Sequence, residues 1–381
     1  MTMDYWIIIY AIDWLLFGIV AFAVLYMTVF TVASLFNRHP NVPKAKQQNR
    51  FIVLINAYKG DQYVHDTIKS ILGQSYPQRL FDITVISDQQ DEMTNFRLAQ
   101  YPITLLTPNF EHSSKEHSLQ FAINNLPQFK IYDIVVVLDA GNVVEQDFLQ
   151  QMNDAYEVAG TKAIQAHCLS KNRDTPVALL DSTFEEINNS IFRRGHITLG
   201  LPSALSPYGN AFNFNWFKDN ISKVNSTDFD KGIVGLLMRQ SAFIDYFDDI
   251  LVFSEKSRDT KHFNKKHGRW IGLQLHSLVT NIHYLPAAIL NRRYDWIDMF
   301  LQWIIVPRSI MMGIIVLMCI VMPIIYFSLA LKWWGIFAFF LFLCALATPN
   351  YLVDKKWDKS FLTLPFIMLA SLLGLSKDDK A

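Results

Sequence analysis

Val135-Val136-Val137-Leu138-Asp139-Ala140-Gly141-Asn142 is the stretch whose reading decides the fold. An unbroken apolar run ends abruptly in a carboxylate, two small residues and an amide. A short run this apolar predicts a strand buried on both faces of a parallel sheet. In open α/β sheets ligands bind just beyond the carboxyl ends of the strands, and Asp139 falls at such an end. The pattern on either side agrees. Phe51 to Asn56, Phe81 to Ile86, Ile103 to Leu106 and Ala163 to Ala166 read as further strands. Between them, Asp61 to Leu72, Ser113 to Leu126 and Glu145 to Val158 carry helical spacing, with Ser113 as the expected N-cap of the second helix. Strands alternating with helices imply an α/β, nucleotide-binding type of sheet. There is no internal repeat.

Composition sets the surroundings. Hydrophobic residues are 51% of the chain and charged residues 18%, against a usual charged share of about 25%. The apolar excess lies at the two ends, and the middle is ordinary enough for one sizeable core. Lys plus Arg and Asp plus Glu balance at 34 each, which gives no electrostatic case for nucleic acid. Cys168, Cys319 and Cys344 are scattered and have neither metal nor disulfide spacing.

Ile7 to Phe36 carries one charge, Asp13, and exceeds the roughly 20 apolar residues a span requires. It reads as an uncleaved anchor. Asp13 is expected at the membrane interface, with an intramembrane ion pair as the alternative. Arg38, Lys44, Lys46 and Arg50 follow the anchor, so the positive-inside rule places the residues after it in the cytoplasm. Ile310 to Leu331 and Trp333 to Leu352 read as two further spans. Phe361 to Leu375, about 15 residues, is short for one. Tyr294 to Arg308 reads as an amphipathic helix at the cytoplasmic surface. The expected organisation is an N-terminal transmembrane anchor over 1–37, a basic linker over 38–50, a cytoplasmic α/β domain over 51–293, and an interface helix with C-terminal spans over 294–381. That makes a multi-pass protein of the inner (cytoplasmic) membrane, in contact with a lipid bilayer.

Polar residues gather after the strand ends: Tyr58 and Asp61 after the first, Asp88 after the second, Asp139 and Asn142 after the fourth. Tyr58 offers a flat face for a base, and Asp88 an acceptor for a base or ribose. Asp139 offers a ligand for a divalent ion that bridges a diphosphate.

In order and spacing these residues resemble the family 2 glycosyltransferases over roughly 51–296. The matching segments are Asn56-Ala57-Tyr58-Lys59-Gly60-Asp61, Gln74-Ser75-Tyr76-Pro77, Ser87-Asp88, Asp139-Ala140-Gly141, Ser226-Thr227-Asp228 and Arg269-Trp270. The resemblance implies a GT-A fold and an inverting transfer from a nucleotide sugar, a UDP-sugar above all, to a lipid-linked or growing glycan acceptor. It implies Asp228 as the catalytic base. Arg269 and Trp270 would serve the leaving group and the acceptor, and Tyr58, Asp61, Asp88, Lys115 and Asp139 would hold the donor. Divalent metal, Mg or Mn, would sit on Asp139 with help from Asn142.

Three positions depart from the family pattern. Gly141 stands where the second metal carboxylate belongs, Thr227 where a glutamate belongs, and Lys266 where a glutamine accompanies polymer synthesis. The loss of that glutamine leans toward one or a few transfers over a processive polysaccharide synthase. Gly141 keeps open a third reading, a GT-A-like scaffold that binds a nucleotide sugar or a partner with little turnover.

Overall fold

The computed structural model describes residues 2–36, 42–59, 63–224 and 229–353, with the side chains of 2–5 left out. An eight-stranded sheet runs through the middle of the chain: β1 (Phe51–Tyr58), β2 (Phe81–Asp88), β3 (Thr104–Leu106), β4 (Ile134–Asp139), β5 (Val143–Val144), β6 (Ala163–Ser170), β7 (Asn210–Asn213) and β8 (Ile244–Ser254). Their order across the sheet is β3-β2-β1-β4-β7-β6-β8-β5. The first four are parallel, as the apolar runs predict. Val135, Val136, Val137 and Leu138 are fully buried because helices cover both faces of β4. The second half is mixed. β7 runs antiparallel between β4 and β6, and β8 pairs parallel with β6.

Helix Lys115–Asn124 is capped by Ser114 rather than Ser113: the Ser114 Oγ accepts from His117 N at 3.3 Å. The linker is docked onto the domain. Asn153 Oδ1 accepts from Asn49 N at 2.9 Å, and Asp154 Oδ1 accepts from Ala45 N at 2.9 Å. Helix Tyr294–Ile304 turns its apolar face into the domain instead of a membrane surface. Trp296, Phe300 and Trp303 are buried in one cluster with Phe217 and Leu237.

Among the described residues three helices are long and apolar enough to cross a membrane: Trp6–Phe36, Arg308–Ile325 and Phe327–Leu346. The break between the last two comes earlier than the sequence reading put it. Pro323 has no N–H for the carbonyl four residues back, and that carbonyl, of Cys319, accepts instead from Trp334 Nε1 at 3.2 Å. Asp13 is fully buried, ion-paired with Lys332, and accepts from Trp333 Nε1 at 2.7 Å. The Lys332 ammonium also lies 3.7 Å from the Trp14 ring centroid.

The first helix also touches the catalytic domain. The Phe30 ring stacks on His196 with centroids 3.8 Å apart. Tyr26 donates to Asp298 Oδ1 at 2.7 Å, and His196 Nε2 lies 3.1 Å from Asp298 Oδ2. Gly195 is required here, because a Cβ would lie 2.3 Å from the Phe30 carbonyl oxygen. The segment that receives the helix, Asn189–Gly195, is a π-turn continuing helix Pro176–Asn188.

Candidate active site

Parallel register assembles the site. Tyr58 on β1 pairs with Asp88 on β2, and Asn56 on β1 pairs with Asp139 on β4. Three strand ends therefore deliver Tyr58, Asp88 and Asp139 to one edge of the sheet. All three line a cavity of about 760 Å³, together with Lys115, Arg269 and Trp270. Of the predicted donor and catalytic residues, these six are brought together. Asp61 and Asp228 lie outside the described residues, although Phe229 and Asp230, just past Asp228, also line the cavity.

Each of the six has a distinct environment. Tyr58 is half exposed, so its ring is free to stack. Asp88 is buried, and its Oδ1 has no hydrogen-bond partner. An unmet acceptor in a cavity wall is a place for a ligand N–H or O–H. Lys115 forms an ion pair with Asp139 at 2.8 Å and lies 5.5 Å from the Phe229 ring centroid. Trp270 is partly exposed, with the Lys231 ammonium 5.6 Å from its ring centroid. Arg269 is exposed and has no ion-pair partner among the described residues.

The expected metal ligands divide. Asn142 is buried and does not line the cavity; its Oδ1 accepts from Asp139 N at 3.0 Å, closing the turn after β4. That oxygen is engaged by the turn. Gly141 sits at φ +91° and donates to Thr67 Oγ1 at 2.9 Å. A carboxylate-bearing residue there would strain the backbone. Among the described residues no three His, Cys, Asp or Glu side chains form a metal cage. The donor set therefore fits a divalent ion through one protein ligand, Asp139, with the remaining positions open to diphosphate oxygens.

The cavity extends away from the sheet toward the long apolar helices, where Asp181, Glu185, Asn188, Arg193, Lys266 and Arg308 line it. Asp181, Glu185 and Asn188 recur at i, i+4 and i+7 on helix Pro176–Asn188 and so share one face. That spacing was the sequence signal for this wall. Lys266, the residue in the glutamine position, pairs with Asp181 at 3.0 Å. Glu185 pairs with Arg193 at 3.1 Å and lies 3.5 Å from the fully buried Lys256. Burial alone would raise its pKa, but Lys256 and Arg193 outweigh burial and hold it at about 2. Behind this wall His167 Nε2 lies 2.9 Å from Glu186, and its Nδ1 lies 3.5 Å from Asp248. Burial would lower the imidazole pKa, but Glu186 and Asp248 lift it to about 9.

The family model for glycosyltransferase like family 2 matches residues 48–272, more than half of the chain. The protein is a family 2 glycosyltransferase with a GT-A fold, joined to helices apolar enough to cross a membrane. A mannosyltransferase of Pyrobaculum calidifontis, solved with GDP-mannose and Mn2+, is 12% identical and superposes with a TM-score of 0.55. That match covers 97% of this chain and 99% of the other. Residues 1–349 of TarS from S. aureus match at 14% identity and a TM-score of 0.44, over 85% of this chain and 92% of that one. No curated protein sequence matches the chain.

Proposed function

We propose that this enzyme is a membrane-anchored inverting transferase. It would move one or a few sugars from a nucleoside-diphosphate donor, a UDP-sugar, to a lipid-linked or nascent surface glycan. The observation that carries the reading is the single cavity that joins Tyr58, Asp88 and Asp139 to Arg269-Trp270 and runs on to the first residue of a membrane-crossing helix. In this reading Tyr58 stacks on the base and Asp88 accepts from base or ribose through its unmet oxygen. The acceptor hydroxyl oxygen attacks the anomeric carbon, and its proton passes to the carboxylate proposed as base, Asp228. The bond from anomeric carbon to diphosphate breaks on the opposite face. The departing diphosphate is received by Lys115 and Arg269. A divalent Mg or Mn ion on Asp139 would supply further charge neutralisation there. Trp270 holds a sugar face. The domain would face the cytoplasm, as the basic residues after the anchor suggest.

Lys266, tied to Asp181 inside the cavity, favours few transfers over a long polymer. The decisive experiment screens nucleotide sugars against the purified full-length protein and measures diphosphate release and product length. Diphosphate release with short products supports the reading. A ladder of long chains would establish a processive synthase, and tight nucleotide binding with no diphosphate release would establish a scaffold.

A further inference from the structure

Fixed cations outnumber fixed anions in the part of the cavity that faces the long apolar helices. Arg193, Lys266 and Arg308 line it against Asp181 and Glu185, and Lys256, buried behind the lining, adds a further cation beside Glu185. The layer behind is balanced and supplies no compensation: His167 and Arg194 are matched by Glu186 and Asp248. An uncompensated positive charge away from water is costly unless something anionic meets it.

The hydrogen-bond inventory points the same way. Arg193 is buried, and its Nε has no partner; Arg308 Nη1 has none either. One other atom of each guanidinium is engaged. Arg193 Nη1 binds Glu185 and Asn189, and Arg308 Nη2 donates to Asn188 Oδ1 and, at 3.3 Å, to Phe184 O. Two guanidinium groups in one wall, each with an unmet N–H, form a fork suited to phosphate oxygens.

Position selects the kind of phosphate. Arg308 is the first residue of the membrane-crossing helix Arg308–Ile325, whose N-terminal dipole adds to the positive field. Two residues earlier, Val306 lines an apolar groove of about 400 Å³ with Trp14, Leu15, Ile19, Phe22 and Ile304. Basic groups and an apolar groove therefore meet where the chain enters its span, a pairing that suits an amphiphile with an anionic head and a hydrocarbon tail.

We propose that the membrane half of the cavity seats the phosphate of a lipid-phosphate acceptor through Arg193, Lys266 and Arg308, with its hydrocarbon chain in the neighbouring groove. This rests on the transferase reading and names the acceptor class for it: the phosphate anchors the lipid, and the attacking hydroxyl is on the sugar that the phosphate carries. The lipid phosphate enters from the bilayer side while the donor occupies the sheet edge.

The test uses full-length protein in lipid nanodiscs with three probes: a polyprenyl phosphate, the matching polyprenol and inorganic phosphate. The polyprenyl phosphate is expected to bind at least about tenfold tighter than the polyprenol, and R308Q to remove most of that difference. R308K, which keeps the charge but loses the fork, is expected to fall between the two. K162Q, a surface lysine outside the cavity, serves as the charge control, and an unchanged melting temperature for R308K guards against a merely unfolded variant. Equal binding of polyprenol and polyprenyl phosphate, or full affinity in R308Q, overturns the proposal. Inorganic phosphate that displaces the lipid at equal concentration assigns the seat to a free anion and also overturns it. Diphosphate release is read in parallel. If sugars are transferred to water-soluble glycans as well by R308Q as by the native enzyme, the acceptor proposal fails and the transferase reading stands. If no donor turns over yet the lipid phosphate binds through its charge, the transferase reading fails and the seat remains.

Discussion

The two halves of the cavity handle charge in opposite ways. At the sheet edge Asp88, Glu116, Asp139 and Asp230 narrowly outnumber Lys115, Lys231 and Arg269, while at the other end the cations are in excess. A donor diphosphate and an acceptor phosphate are both anions, so one cavity would have to receive like charge twice. At the sheet edge Lys115 is already paired with Asp139 at 2.8 Å, so in the proposed reading a divalent ion arriving with the donor would add counter-charge there. The other end has its cations built into the chain. In that reading the site is divided between mobile and fixed counter-charge, and substitutions can probe each side separately.

The largest effect is expected at Asp228. D228N should lower kcat by about 10²–10⁴ while nucleotide affinity, measured by calorimetry, stays close to native. Unchanged turnover would remove Asp228 from the base role. The next effect carries the logic of fixed charge into the apolar helices. D13A leaves the Lys332 ammonium buried without its partner and should cost about 3–5 kcal/mol, read as a fall in thermal midpoint in detergent. Recovery in the D13L/K332M double variant would show that an unpaired charge, not lost packing, was the cause.

A smaller effect of pH follows from His167. Its folded pKa of about 9 lies above the unfolded value of roughly 6.5. The protonated form is therefore favoured by folding, and its contribution is complete below about pH 6.5. It is lost as pH rises through about 9 and amounts to at most about 3 kcal/mol. Thermal midpoints between pH 6 and 9.5 should fall in the native protein, and the slope should flatten in H167Q. A slope that H167Q leaves intact would place the titration elsewhere.

At the sheet edge, D139A should abolish any Mn-dependent gain in nucleotide affinity, a loss of about tenfold or more. Retained Mn dependence would move the ion to other ligands and undo the division between mobile and fixed charge. The smallest effect is expected for W270A, which should raise acceptor KM by several fold, about 1 kcal/mol, with donor KM unchanged. A change confined to donor KM would assign the ring to the other half.

Legibility from sequence followed the same division. β4 and Asp139 could be read because a strand buried on both faces must be apolar throughout and must end where the polarity changes. Tyr58 and Asp88 could be read because parallel register carries strand ends to one edge. β8 was hidden. Asp245, Asp248 and Asp249 interrupt Ile244–Ser254, and the pattern looks like a loop until Arg194 is seen to bind Asp248 through two hydrogen bonds, at 2.6 and 3.1 Å. The membrane end was hidden for a related reason: its residues come from four separated segments, and only tertiary packing brings Arg193, Lys256, Lys266 and Arg308 together. The turn made by Asn142 was not legible, because an amide beside a strand end has the right chemistry for a ligand and an equally good use in the turn. The partner of Asp13 was not legible because it lies 319 residues away.

The contact between Phe30 and Gly195 has a consequence for how the protein is made. Tyr26 and His196 are 170 positions apart and meet in one hydrogen bond. During synthesis the first helix leaves the ribosome long before its receiving π-turn exists, and the π-turn borders Arg193. Completion of the cavity thus awaits the packing of a helix made long before it. A chain without that helix would show the π-turn an empty groove where Phe30 belongs, so the two ends of synthesis meet in one site.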